Sequence, residues 1–467
     1  MKRLALLALL VLLGPGCAVG PDYKRPTVPA PPSYRGGAEG GDAASLADKD
    51  WAQVFPDPAL GELIRTALTQ NQDVLIAAVR IEQAEAQLGI TRADQLPAVN
   101  LGLAAGRERV QLTSRTPAFT TSLFQGNVSA SWQLDFWGKF RRATEAARAE
   151  LLAAHWNDRA VITSLIASVA GSYYQLLELD LELEISKRTL TSRKESLELV
   201  EVQERQGVVS LLDVRQAEQL VYNAAQTIID IERRTEQQEN FVSLLLARNP
   251  GPIPRGRKLT EQPHDPVVPA GLPSSLLQRR PDIQLQEARL IAANARIGVA
   301  RAAFFPSISL TGGGGLQSTA LTDLFEGPSG VWNFFGSLTQ PIFAGGRLSS
   351  GVKLAEAQEK EALIVYQQTI QQAFREVSDA LVAYRKDREF REQQELLANS
   401  TRDAQALAEQ RYRGGTASYL EVLDSNTRTF AAELGLAQSQ LHELLALVQL
   451  YNALGGGWQA AEGKGPS

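Results

Sequence analysis

Arg205-Gln206-Gly207-Val208-Val209-Ser210-Leu211-Leu212-Asp213-Val214 returns 208 residues later as Arg413-Gly414-Gly415-Thr416-Ala417-Ser418-Tyr419-Leu420-Glu421-Val422. A glycine stands at the same place in each copy, where a helix must stop and turn. Upstream of Gly207, residues 138–204 hold no proline, and Gly171 is the one glycine between Gly138 and Gly207. Leu176, Leu183, Leu190 and Leu197 recur every seventh residue, with Leu179 and Val200 between them, which is the pattern of a coiled-coil seam. At 1.5 Å per residue such a helix runs roughly 100 Å. Downstream, residues 211–248 read as a return helix with a seam of Ala217, Leu220, Ala224, Ile231 and Leu245. The second copy predicts the same pair, 347–412 and 418–454, about the turn at Gly414-Gly415.

The repetition extends beyond the hairpins. Residues 71–101 align without gaps to 280–310, and nine of the 31 positions are identical, from Asp73/Asp282 through Gly89/Gly298 to Leu101/Leu310. Ordinary residue frequencies give roughly two such matches by chance. Phe136-Trp137-Gly138 likewise returns as Phe343-Ala344-Gly345. The chain is an internal duplication. Each unit opens with a helix of about 30 residues ending near Arg92 or Arg301; a proline then introduces alternating segments. Val128, Ala130, Trp132, Leu134 and Phe136 share one face of such a segment, against Asn127, Ser129, Ser131, Gln133 and Asp135 on the other. Trp332, Phe334, Leu338 and Ile342 repeat the pattern opposite Asn333, Ser337 and Thr339. Gly312 to Gly315 follows a strand-like segment, and without a Lys-Ser/Thr pair it is no phosphate loop.

The expected divisions are a signal peptide at 1–16, a Pro-rich tether at 17–50, the first repeat at 51–248, a connector at 249–277, the second repeat at 278–455 and a tail at 456–467. Lys2 and Arg3 precede the apolar run Leu4 to Leu13, which has signal-peptide length, and small residues lead into Cys17. Cys17 is the chain's one cysteine and the expected site of lipid attachment. No other apolar run reaches the ~18–20 residues of a spanning helix, so strands are expected to do any crossing.

Composition narrows the function classes. With 52 acids against 47 bases, the net charge of -5 gives no reason to expect nucleic-acid binding. One cysteine and three scattered histidines make a metal cluster or a Cys/His catalytic pair improbable. No cofactor and no catalytic residue is expected. Four strands per chain cannot close a barrel, and an open edge in lipid leaves backbone groups unpaired. Closure therefore has to come from other copies, and three would supply twelve strands. The competing readings are a soluble β-sandwich with a coiled-coil insertion, a lipid-anchored periplasmic adaptor and a coiled-coil structural lipoprotein.

The sequence Cys17-Ala-Val-Gly-Pro-Asp-Tyr-x-x-Pro26, the run Arg279-Arg280-Pro281-Asp282 and the stretch from Arg411-Tyr412 to Asp424 together resemble the outer-membrane factor family, TolC-like and of the OprM/NodT lipoprotein branch. That resemblance implies an α+β, mostly helical fold. A homotrimer would build a 12-stranded barrel in the outer membrane and a long α-helical barrel in the periplasm of a Gram-negative bacterium. It implies a passive duct for drugs and other toxic small molecules, with an inner-membrane pump and a periplasmic adaptor as partners. An equatorial band would draw on residues near 50–70, 249–277 and 455–467. By position, Leu420, Glu421 and Asp424 match the periplasmic gate, and Tyr412 and Asp213 match a hydrogen-bonded tether of the closed state. A second tether is expected to be absent, because Ala417 and Leu212 stand where it needs Arg and Thr. The turns carrying Gly207, Ser210, Gly415 and Ser418 match the surfaces that meet the adaptor.

Overall fold

The computed structural model describes residues 18–35, 45–111, 117–263 and 268–459, so the signal peptide and Cys17 lie outside the described residues. After two short helices, Trp51–Val54 and α1 (Pro58–Gln70), the first repeat runs α2 (Gln72–Ala93), β1 (Ala98–Val110), β2 (Phe119–Leu134), α3 (Lys139–Arg205) and α4 (Leu211–Leu245). The second runs α5 (Pro281–Ala302), β3 (Ser307–Ser318), β4 (Gly330–Thr339), α6 (Arg347–Arg413) and α7 (Tyr419–Ala453). The two outgoing helices are 67 residues each and the two return helices 35 each, so the copies agree to the residue. The opening helices are 22 residues rather than about 30: Asn71 caps α2 and separates it from α1, and α5 starts at Pro281.

Structure cuts across the repeats. The described parts of residues 1–27, 79–155 and 285–367 form one compact unit, and those of 28–78, 156–284 and 368–467 form another. Each draws on both copies.

The first unit holds the sheet, antiparallel in the order β1-β2-β3-β4. Trp332, at 83% exposure, and Phe334 stand bare on β4, and Val128 and Trp132 are exposed on β2. Phe335 is exposed too, an aromatic on the otherwise polar face with Asn333 and Ser337. The Gly312–Gly315 run proves to be part of β3 itself, paired on both sides. The glycines let strands close up: a Cβ at Gly315 would lie 2.1 Å from the Gly126 carbonyl oxygen. At the foot of the strands Trp137 stacks on Phe305, ring centres 4.8 Å apart, and its indole N–H donates to the Pro306 carbonyl.

The expected tether is in fact a strap laid on this unit. The Val19 N–H donates to the Trp137 carbonyl, Asp22 pairs with Arg142 at 2.6 Å, and Tyr23 and Arg25 both reach Glu287. Gly20, at φ +112°, passes so close to α5 that a Cβ there would sit 2.5 Å from the Gly298 Cα.

The second unit carries the helical hairpins and the residues expected around the equator. Asp57 collects donors from three segments: the Ala59 N–H of its own helix, the Tyr173 hydroxyl, and the Arg257 N–H and Gln262 amide of the connector. These bonds to the charged form outweigh burial and hold its carboxyl below the usual range. Tyr451 donates to the Lys49 carbonyl and meets Phe55 edge-on, and Trp156 meets Trp458. Along α3, Leu176, Leu179 and Val200 of the predicted seam are buried, as are Ala217, Ala224 and Ile231 of α4.

One expectation needs correction. Among the described residues, α3 does contain an 18-residue stretch apolar enough to cross a membrane. Most of that stretch, 61%, is buried inside the protein, so the packing of helix on helix accounts for its hydropathy.

Candidate functional site

The duplicated decapeptides form the two hairpin turns, and the second unit brings them together. Both outgoing helices stop in the same way. Gly207 (φ +74°) and Gly415 (φ +71°) take the left-handed conformation that a Cβ disfavours. The Val208 N–H reaches back to the Gln203 carbonyl and the Gly207 N–H to Glu204, and the Thr416 and Gly415 N–H groups do the same to Arg411 and Tyr412. This is the double hydrogen bond that closes a helix C-terminus.

The starts of the return helices differ. At the first turn the Asp213 carboxylate accepts from both the backbone N–H (2.9 Å) and the hydroxyl (2.8 Å) of Ser210, closing a capping box. At the second, no such box closes on Ser418. Glu421, the counterpart of Asp213, instead pairs with Arg411 at 3.1 Å.

Between the turns lies an apolar cluster drawing on all four helix ends: Val200, Val214, Ala217, Ala408, Tyr419 and Val422. Tyr412 packs against it, its ring centre 5.5 Å from that of Tyr419. Burial, with the nearby Tyr412 and Asp213 adding to it, pushes the Tyr419 hydroxyl up to about 12, so it stays protonated and uncharged.

The residues expected at the gate share the exposed side of α7. Leu420 is 61% exposed, an apolar side chain with no place in the cluster. Glu421 and Asp424 are also exposed, and Asp424 pairs with Arg428 one turn on at 2.7 Å. The expected tether forms differently. The Tyr412 hydroxyl donates to Gln203 Oε1 at 2.6 Å rather than to Asp213, whose carboxylate is engaged by its own helix start. Asp213 remains near enough for its charge to help raise the Tyr412 hydroxyl, after burial.

Sequence reasoning missed Gln203, Arg411 and Arg428. A signal for the first two was present: they occupy the same position in the two repeats, two residues before each helix end; Gln203 meets the other hairpin and Arg411 reaches across its own turn. Among the described residues no group of three or more His, Cys, Asp or Glu is placed to hold a metal.

Known proteins carry the same organisation. The outer membrane efflux protein family matches residues 63–248 and 272–456, one match to each repeat. The antibiotic efflux pump outer membrane protein ArpC of Pseudomonas putida is 37% identical over 99% of this chain and 97% of its own length. The cation efflux system protein CusC of Escherichia coli is 36% identical over 95% and 96%. The open state of the MtrE outer membrane channel of Neisseria gonorrhoeae superposes with a TM-score of 0.85, at 32% identity, over 95% of this chain and 99% of that one.

Proposed function

The chain belongs to the outer membrane efflux protein family and is an outer-membrane channel component of an efflux pump in a Gram-negative cell; from that premise we propose that three copies close the duct and that the second hairpin turn gates it. The observation that carries the trimer is the sheet. It has four strands, β1 and β4 each pair on one side only, and large apolar side chains stand bare on it. In lipid such edges cost several kcal/mol for each unpaired backbone group, so β4 of one copy pairs with β1 of the next. Twelve strands then surround a lumen, and the hairpins continue it into the periplasm.

At the periplasmic end Leu420, Glu421 and Asp424 face the axis. Three copies of each acid make a ring that favours cations, and three leucines make an apolar constriction. The Tyr412–Gln203 bond holds the second hairpin to the first, in the role expected of Tyr412 and Asp213. The periplasmic adaptor meets the turns at Gly207, Ser210, Gly415 and Ser418, where Val208, Leu211 and Leu212 offer exposed apolar surface. Its greater affinity for the untwisted hairpins shifts the duct from closed to open, while the inner-membrane pump supplies the energy. Cys17 carries the lipid: the residue after it, Ala18, lies against Gly138 at the strand–helix junction, where acyl chains enter the bilayer directly.

Single-channel conductance in a planar bilayer, with the oligomeric mass measured beside it, tests this reading. The expected result is a trimer with small, mostly closed, cation-preferring conductance. Asp424→Ala is expected to raise the conductance or abolish the cation preference. A non-conducting monomer would leave the duct reading without support.

A further inference from the structure

Above the turns, one buried acid joins the two hairpins. Glu433 of α7 is 6% exposed. Its Oε2 accepts from Arg188 of α3 at 2.6 Å and its Oε1 from Arg402 of α6 at 2.7 Å. One bond is thus internal to the second hairpin, and the other crosses to the first. One turn back on α7, Phe430 lies under the guanidinium of Arg193, 4.8 Å from its centre. Arg193 also belongs to α3 and is 3% exposed; its Nη1 donates to the Leu220 carbonyl and its Nε has no partner. Burial lowers its proton affinity, so the cation rests on the aromatic face and one carbonyl.

These contacts are not a by-product of the duplication. At the equivalent positions of the other copy stand Leu396 for Arg188, Ala225 for Glu433, Tyr222 for Phe430 and Thr401 for Arg193. Leu396 and Tyr222 are exposed. Among the described residues the Arg188–Glu433 link therefore has no counterpart at the equivalent positions of the other copy. A cavity of about 320 Å³ lies beside it, lined by Arg188, Arg402, Phe430 and Glu433 among others, so packing alone does not fix the distance between the hairpins at this level.

We propose that Arg188 and Glu433, with Arg193 on Phe430, form a brace that holds the second hairpin against the first and must part for the duct to open. It rests on the gating reading above. Sliding α7 away from α3 leaves Glu433 with Arg402 alone and strips Arg193 of its ring, and both losses fall on groups shielded from water. The brace is a positioning device, since none of its residues stands at the constriction.

The test is single-channel recording of the full-length protein carrying Arg188→Gln, Glu433→Gln, both together, or Arg188→Lys. Arg188 is 59% exposed on its side chain, so its replacement leaves the fold intact. Each Gln variant is expected to raise the fraction of time open by roughly tenfold, and the double variant no further, because both remove the same bond. Arg188→Lys keeps a charge and is expected to stay near wild type. The heat resistance of the Arg188→Gln oligomer is expected to be unchanged, which a purely structural role for the bond would not give. Wild-type gating in both single variants, in a channel that Asp424→Ala still alters, would overturn the brace and spare the gate. Silence in Asp424→Ala as well would remove the gate and the brace together.

Discussion

The first hairpin turn closes on itself and the second does not. Both end a 67-residue helix at a left-handed glycine and begin a 35-residue helix directly after the serine three residues on. Yet Asp213 caps its own helix, while Glu421 reaches back to Arg411 at the end of the previous one. A duplicated backbone thus carries two electrostatic settings. The self-capped turn is expected to be the stiffer of the two. The other ties its acid to an exposed ion pair, which is weak in water and easily exchanged. Duplication supplied the architecture, and divergence at single positions set the two turns apart.

The largest expected break of that symmetry lies at the strap. Gly89 and Gly298 occupy the same place in the two repeats. A Cβ at Gly89 would meet nothing within 4 Å, whereas one at Gly298 would lie 2.7 Å from the Val19 carbonyl oxygen and 2.8 Å from Arg142 Cγ. Gly298→Ala is expected to destabilise by about 1–3 kcal/mol and to expose residues 18–25 to protease. Gly89→Ala is expected to stabilise its helix by up to about 1 kcal/mol. Thermal unfolding of the two variants in detergent measures both. Equal damage at the two sites would mean that the Gly89 face is covered in the assembled protein.

A second contrast depends on pH. Glu178 of α3 is buried, and desolvation, with Glu182 one turn on, pushes its carboxyl from 4.5 to about 8, against the pull of Arg234. Its counterpart in the second repeat is Lys386, paired at the surface with Glu389. Between the ordinary value and about 8 the folded chain holds a proton that the unfolded chain has released. Stability is therefore expected to fall as pH rises from about 4.5 to about 8 and then to level off. Glu178→Gln is expected to flatten that profile, and Lys386→Gln to leave it as it is. Denaturant midpoints across this range read both, and a profile unchanged by Glu178→Gln would place the titrating group elsewhere.

These contrasts also mark how far the sequence was legible. The long helices came out within three residues at their ends, the widest miss being the first return helix, expected to 248 and ending at Leu245, because the absence of proline, the heptad leucines and the turn glycines are signals local to the chain. The strand faces were readable for the same reason, except that Phe136 and Ile342 lie beyond the ends of β2 and β4 and Phe335 stands on the face expected to be polar. The Gly312–Gly315 run was not, since its glycines answer to Gly126 and Val128 on a neighbouring strand, which no local pattern announces. The strap read only as a tether, because Pro-rich composition records the lack of regular structure and not the surface beneath it. At the turns, the gate and tether residues came from family resemblance. Which acid caps and which one bridges depends on side-chain reach across α3, α6 and α7, and the partner of Tyr412 changed from Asp213 to Gln203 for that reason.

The finest test returns to the two acids. Asp213 makes two bonds to Ser210, and losing them is expected to cost about 1 kcal/mol, the usual value of a helix cap. Glu421 pairs with Arg411 where both side chains are about half exposed, 45% and 57%, so Glu421→Ala is expected to cost under about 0.5 kcal/mol and to lose even that in high salt. Amide exchange over residues 207–214 and 415–422 resolves the two locally. Asp213→Ala is expected to speed exchange at its own turn roughly fivefold, and Glu421→Ala to leave the second turn nearly as it was. The swap Glu421→Asp is the decisive arm. A shorter acid at that position cannot reach Arg411 and is placed to cap Ser418, as Asp213 caps Ser210. Slower exchange at the second turn in that variant would show that one methylene separates the stiffer turn from the looser one; no change would mean that the helix ends, and not the acids, set the stiffness of both turns.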